Sequence, residues 1–237
     1  MAAPLPDIPQ VEAAIVEMTN AYRVEQRLGA VAPSPALTAA ARAYAQYLAR
    51  TNTFAHDADG RSHSDRVAAQ GYDFCEVSEN LARSVDSRGF AARDLARTTV
   101  EGWLNSPGHR RNIEAASVTE TGVAVAQVPD QHPKYVAVQL FARPRALAYD
   151  VQIANATKAV VVYSLAGRQH DLAPHMAATH TLCAPSDVAF ERSGNGARAV
   201  PLSLRYSTSA GQVFVVEPGS DGKPTVKIDK KRSVNIR

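Results

Sequence analysis

Glu101 and His109 share the stretch Glu101-Gly102-Trp103-Leu104-Asn105-Ser106-Pro107-Gly108-His109-Arg110-Arg111-Asn112-Ile113, which also carries the only tryptophan of the chain. A neutral imidazole is a ligand for Zn²⁺ and similar ions, and a carboxylate can ligate, orient a bound water or take its proton. Both residues also have ordinary uses. Glu101 could pair with Arg97 one turn back on a helix, worth about 0.2–0.5 kcal/mol, and His109 could be a solvated histidine beside Arg110 and Arg111. Ser106 is close to His109 in the chain but lacks an orienting acid. The chain has no His-Glu-x-x-His helix, no Gly-x-Ser-x-Gly elbow and no cysteine with a base beside it, so the established protease signatures are absent.

The elements that must position these residues follow from spacing. Between Phe90 and Leu104, Ala96, Val100, Trp103 and Leu104 fall on one helical face, with Glu101 off it on the stripe of Asp94, Arg97 and Thr98. Ser106-Pro107-Gly108 is expected to stop this helix and deliver His109 just past its end. Val11, Ile15, Met18 and Tyr22 mark a first helix up to Leu28-Gly29. A second starts at Ser34-Pro35, with Leu37, Ala41, Tyr44 and Leu48 on one face and Phe54-Ala55-His56 at its close. The polar run from Asp57 to Gly71 holds a short helix over Ser64 to Gln70, and its His63 reads as a solvated loop histidine. Ser78-Glu79-Asn80-Leu81 opens an extended run. Gly122 to Val128 and Tyr135 to Ala142 read as strands joined by Pro129-Asp130-Gln131-His132-Pro133, with His132 exposed.

The order His56, Glu79, Glu101, His109 has Asp59-Gly60 and Arg66 after the first histidine and Gly71-Tyr72 before the first glutamate. With Ser106-Pro107-Gly108-His109-Arg110-x-Asn112-Ile113 at its end, it resembles the bacterial branch of the CAP superfamily. That superfamily groups cysteine-rich secretory proteins, venom antigen 5 proteins and plant pathogenesis-related 1 proteins. Asn20-Ala21-Tyr22-Arg23, Gly122-Val123-Ala124-Val125-Ala126 and Tyr135-Val136-Ala137-Val138-Gln139-Leu140-Phe141-Ala142 extend the resemblance over residues 8 to 143. It implies an α+β, three-layer α-β-α sandwich, export from the cell, and a cleft in which His56 and His109 ligate a divalent metal. Glu79 and Glu101 would stand behind the ligands or act on bound water. The choice of His56 over His63 rests on this resemblance. Two sure protein ligands fall short of the three usual in catalytic zinc, so Zn²⁺ or another divalent ion would be weakly bound.

The function expected is that of a non-enzymatic binding protein whose cleft holds a metal and an unidentified ligand. A metal-dependent hydrolase with Glu79 or Glu101 as general base is the alternative. A third reading is a structural cluster of hydrogen bonds joining helix ends to the sheet.

The 237 residues, 45% of them hydrophobic, suffice for one large domain or two smaller ones. Two are expected: a CAP domain over 8–145 and an all-β domain over 146–230, followed by a basic tail over 231–237. A net charge of +3 with 21% charged residues is too mild for nucleic acid. The first nine residues have no basic start and no apolar run, so they read as neither signal peptide nor membrane anchor, and nothing later reads as a transmembrane segment. Because the resemblance implies export, an extracellular or periplasmic monomer that has lost its signal is expected, with a small ligand or an envelope component as partner. A cytosolic protein is the rival reading.

Beyond Arg143-Pro144-Arg145, short strand-like runs recur at Val151-Gln152-Ile153, Ala159 to Tyr163, His180-Thr181-Leu182, Val188-Ala189-Phe190, Leu202 to Tyr206, Gln212 to Val216 and Val226-Lys227-Ile228. This is the pattern of a small sandwich or barrel. His170, His175 and His180 span a loop and Pro174 with no fourth ligand arranged, so they read as scattered loop histidines rather than a metal site. Asn155-Ala156-Thr157 fits a glycosylation sequon but is expected to cap a strand turn. Cys75 and Cys183 could form a disulfide between the two domains in an exported protein; the alternative is two buried thiols.

Overall fold

Asp7 accepts the Gln10 backbone N–H and so opens α1 (Ile8–Glu25), whose Val11, Ala14, Ile15 and Arg23 are buried. The computed structural model describes residues 5–194, 200–220 and 223–230; the chain divides into two units, Met1–Ala146 and Leu147–Arg237. The expected basic tail over 231–237 lies outside the described residues.

In the first unit α1 is followed by β1 (Ala32–Pro33), α2 (Pro35–Thr51), α3 (His63–Ala68), β2 (Phe74–Val85), α4 (Ala92–Leu104), α5 (Pro107–Glu114), β3 (Glu120–Val128) and β4 (Lys134–Pro144). The four strands form one sheet in the order β1-β3-β4-β2, antiparallel except for the β1–β3 pair. Strand β4 explains the three layers. Alternate side chains leave opposite faces of a strand, and Tyr135, Ala137 and Phe141 join a core with Ile15, Leu95, Trp103 and Ile113. Val136, Val138, Leu140 and Ala142 join a second core with Leu37, Tyr44, Leu48 and Val67 on the other face. Helices α1, α4 and α5 thus cover one face of the sheet, and α2 and α3 the other, as the α-β-α reading requires.

One contact in this packing is close enough to demand glycine. A Cβ on Gly122 in β3 would lie 2.2 Å from the Leu37 carbonyl carbon and 2.3 Å from the Thr38 nitrogen, so α2 lies directly against the strand backbone.

Several boundaries differ from the sequence reading. Helix α2 stops at Thr51, where Asn52 takes a left-handed conformation (φ 51°), so His56 lies in the following turn and does not close the helix. Helix α3 begins at His63, because Ser62 and Asp65 form a capping box before it, and His63 is half-buried at its first position. Helix α4 ends at Leu104 as the apolar spacing suggests, but Pro107 starts a new helix. A proline at the first turn loses no hydrogen bond that the helix would make. His109 therefore sits inside α5, not past a helix end. His132 is exposed in the β3–β4 loop.

The second unit is a sandwich of two four-stranded sheets, not a barrel. One sheet has the order β10 (Val200–Ser207), β9 (Asp187–Ser193), β6 (Val161–Leu165), β7 (Arg168–Leu172). The other has β12 (Pro224–Lys230), β11 (Gln212–Pro218), β5 (Tyr149–Asn155), β8 (Ala177–Leu182). Val151, Ile153, Tyr163, Phe190, Phe214 and Val216 fill the space between them. Strand β7, Arg-Gln-His-Asp-Leu, was not expected, since it has no apolar alternation to mark it. The reading of His170 and His180 as scattered loop histidines is also corrected: His170 lies on β7, His180 lies on β8 as its strand-like run suggests, and their ring centroids are 4.7 Å apart.

Asn155 is 1% exposed and fully used. Its Nδ2 donates to the carbonyls of Ala159, Leu172 and Ala173 at 2.8, 3.0 and 3.0 Å, and its Oδ1 accepts from the Thr157 backbone and hydroxyl. The sequon is thus a buried turn, in keeping with the capping reading. Neither Cys75 nor Cys183 is a free thiol.

Candidate functional site

The turn carrying His56 is pinned by side chains from the helix before it. Tyr44 donates its hydroxyl to the Ala55 carbonyl and accepts from the Ala58 N–H at 3.1 Å, while Tyr47 donates to the Ala58 carbonyl at 2.9 Å. Both tyrosines lie on α2, so the end of that helix shapes the turn without reaching His56.

Glu79 stands in the middle of β2, opposite Leu140 of β4, and its side chain is 1% exposed. Both carboxylate oxygens are occupied. Oε1 is 2.8 Å from Nδ1 of His56, and Oε2 accepts from Nη2 of Arg66 at 2.8 Å. The His56 imidazole itself is 55% exposed. Because Nδ1 faces the carboxylate, Nε2 is the nitrogen left for another partner.

Arg66 joins these groups. Its guanidinium also donates to the His56 carbonyl at 3.0 Å, to Oδ1 of Asp59 at 2.9 Å and to the Arg61 carbonyl at 2.9 Å, and it lies 3.4 Å from the Tyr44 ring centroid. A buried carboxylate is costly unless it is paired and hydrogen-bonded. Here Arg66 supplies the counter-charge, and its planar fork reaches two carboxylates and two carbonyls together.

His109 is held through its backbone. Asn80 donates to the His109 carbonyl at 3.1 Å, and Asn112 donates to Asn80 Oδ1 at 2.8 Å and to the Glu79 carbonyl at 3.2 Å. These bonds tie α5 to β2 beside Glu79. At the other end of α5, Arg23 donates to the Ile113 and Ala115 carbonyls at 2.5 and 3.0 Å and to that of Gly29 at 2.8 Å. The Trp103 indole N–H donates to the Leu81 carbonyl at 2.9 Å, so α4 is fixed to the same strand.

Burial pushes the His109 imidazole below its ordinary pKa, and the nearby charge of His56 lowers it further. The two rings are therefore within electrostatic reach, and His109 is neutral at neutral pH. It also lines a groove of about 460 Å³ with Phe54, Leu81, Arg83, Thr98 and Trp103. Glu101 does not join the others: it is exposed on α4, and its carboxylate makes no hydrogen bond or ion pair among the described residues. The Arg97 partner considered for it pairs with Asp94 instead.

Residues 16–141 match the family described as CAP, the cysteine-rich secretory protein family. The chain belongs to the CAP family. Two curated relatives from Bacillus subtilis (strain 168) match about half of the chain. YkwD, named an uncharacterized protein, is 30% identical over 117 residues, covering 49% of this chain and 42% of its own. YlbC, named an uncharacterized membrane protein, is 33% identical over 116 residues, covering 48% of this chain and 31% of its own. The chain thus spans less than half the length of either relative. Among solved structures, an extracellular protein containing a SCP domain from Bacillus anthracis str. Ames aligns at 26% identity and a TM-score of 0.48, over 57% of this chain and 41% of that one. An outer surface protein from Borrelia burgdorferi aligns at 21% identity and a TM-score of 0.49, over 57% and 93% respectively.

Within the CAP unit, the sequence motifs contained Arg66 and Asn112 but assigned them no role, and Asn80 appeared only as the neighbour of Glu79. One local signal was available. Asn80 and Asn112 each flank a candidate site residue or its helix, and short amides commonly bridge backbone groups. No local signal marked Arg66 as buried.

Proposed function

We propose that the CAP unit is an exported, non-enzymatic binding module, in which His56 and His109 hold a divalent metal beside the groove that receives a small ligand. The observation that carries this reading is the occupied state of Glu79. A carboxylate that accepts from the Nδ1 side of a histidine and is itself neutralised orients the ring and directs Nε2 outward, which is the usual support behind a ligating imidazole. Such a carboxylate, 1% exposed and bonded at both oxygens, has no free lone pair facing solvent water and is a poor general base.

The donors suit a borderline ion such as Zn²⁺: two imidazoles, one of them kept neutral by burial. Among the described residues no group of three or more His, Cys, Asp or Glu side chains is placed to hold a metal, so the two imidazoles are the whole protein donor set of this reading. When bound, the ion would supply a Lewis-acid contact for an oxygen of the ligand. Glu79 holds His56 in place, and Asn80 and Asn112 hold the backbone of His109. The secretory description of the family supports export, and among the described residues no helix is long and apolar enough to cross a membrane.

Calorimetric titration of zinc into the folded protein tests this reading. Micromolar binding that disappears in folded His56→Ala/His109→Ala and survives in Glu101→Gln is the expected result. Zinc affinity unchanged by the double substitution would sink it.

The hydrolase alternative rests on Glu101, the exposed carboxylate with no partner among the described residues. It requires zinc-dependent hydrolysis that Glu101→Gln abolishes while zinc binding is kept.

A further inference from the structure

Tyr163, His170 and His180 lie in the second unit, and no part of the CAP site uses them. In the β6–β7 pair Tyr163 stands directly opposite His170, so both side chains leave the sheet on one face. That is the face from which Val161, Leu165 and Leu172 enter the sandwich core. His180 belongs to β8 and shares a face with buried Leu182. Strands β7 and β8 are edge strands of the two sheets, and each turns one imidazole inward.

The rings meet between the sheets. The His170 and His180 centroids are 4.7 Å apart with planes at 61°. Tyr163 stacks on His170 at 5.1 Å, and its Oη lies 2.6 Å from Nε2 of His180. Both imidazoles are half-buried, and among the described residues the His170 ring makes no hydrogen bond. His175, between them in sequence, takes no part in the ring cluster; it has a φ of 60° and lines a different cleft with Lys158 and Pro174.

We propose that this sandwich edge binds a late first-row divalent transition metal, held by the imidazoles of His170 and His180 with the Tyr163 phenol oxygen beside it. Two imidazoles on facing strands suit Cu²⁺, Ni²⁺ or Zn²⁺, and Cu²⁺ binds tightest at a nitrogen site. An ion taking Nε2 of His180 displaces the phenol hydrogen bond, which leaves Tyr163 Oη next to the ion as a further ligand or as a partner for bound water. The donors come from rigid strands of a packed core, so their positions are set before any ion arrives.

Copper bound to the full chain carrying His56→Ala/His109→Ala is the direct test, since the CAP-site imidazoles are then absent. The electron paramagnetic resonance spectrum at one equivalent of Cu²⁺ is expected to show coupling to two imidazole nitrogens. Adding His170→Ala should remove that pattern and weaken binding roughly tenfold or more. Coupling to one imidazole or none means adventitious surface copper only, and overturns the proposal. Equilibrium dialysis of the otherwise unsubstituted protein gives a second reading: His170→Ala should lower the copper bound by one equivalent. An unchanged stoichiometry would mean that the rings close the sandwich edge as a packed aromatic cluster and nothing more.

Discussion

At the scale of single residues, Arg66 organises the CAP site more than any residue that could itself touch a ligand. It neutralises Glu79, fixes the His56 carbonyl and closes the Asp59 turn, with a side chain 6% exposed. Removing one member of a buried ion pair strands the other, so Arg66→Met is expected to destabilise the protein by ~3–5 kcal/mol. Urea unfolding measures this. The double change Arg66→Met/Glu79→Leu should recover much of the loss, because it leaves no buried charge unpaired. A loss below about 1 kcal/mol in the single variant would show that water or another cation takes over the role of Arg66. The sequence brought His56, Glu79 and Arg66 together only as positions in a motif. That Glu79 has both oxygens occupied depends on how deeply β2 is buried, which no local pattern reports.

At the scale of elements, the helices and strands of the CAP unit were largely legible because their apolar residues repeat locally. The exceptions have physical causes. Pro107 was read as a stop, yet the same residue is well suited to the first turn of α5, and the choice between the two depends on where the chain is led next. Two packing contacts give predictions. Gly122→Ala places a methyl group into the backbone of α2 at Leu37, and a strand cannot yield there as a flexible side chain would. It is expected to cost ~1–3 kcal/mol or more, read as a drop in thermal midpoint.

The second concerns α3, which carries Arg66. Its capping box depends on ionised Asp65, whose pKa the Ser62 hydroxyl and backbone N–H hold below the ordinary carboxylate value. A carboxyl with a depressed folded pKa adds stability above its unfolded pKa and loses it as pH falls through the folded value. Asp65→Asn should therefore be less stable than the wild type near neutral pH, with the difference shrinking below about pH 4. A difference independent of pH would show that the carboxylate charge plays no part in the cap.

At the scale of the whole molecule, the chain joins a CAP unit to a β-sandwich with a core of its own. Cys75 lies in the first unit and Cys183 in the second, and neither is a free thiol. Thiol titration in denaturant without reductant should find no reactive sulfhydryl, and after reduction should find 2, the full cysteine content of the chain. Reactive thiols before reduction would restore the reading of two buried thiols.

The fold class of the first unit was legible in the sequence, and so was the set of residues to consider as its candidate site. Helical and strand periods are local properties, and the order of the motifs along the chain needs no coordinates. The sequence also marked the second unit as all-β, through short apolar runs broken by turn residues. Only the tertiary structure decided which polar groups were taken out of water. Arg66 and Glu79 became a buried pair, Glu101 remained at the surface, and Asn155 closed a turn. It also decided that His170 and His180 meet, because that contact depends on which two strands form facing edges of a sandwich. Edge position is set by sheet order, and sheet order is a property of the assembled core rather than of either strand.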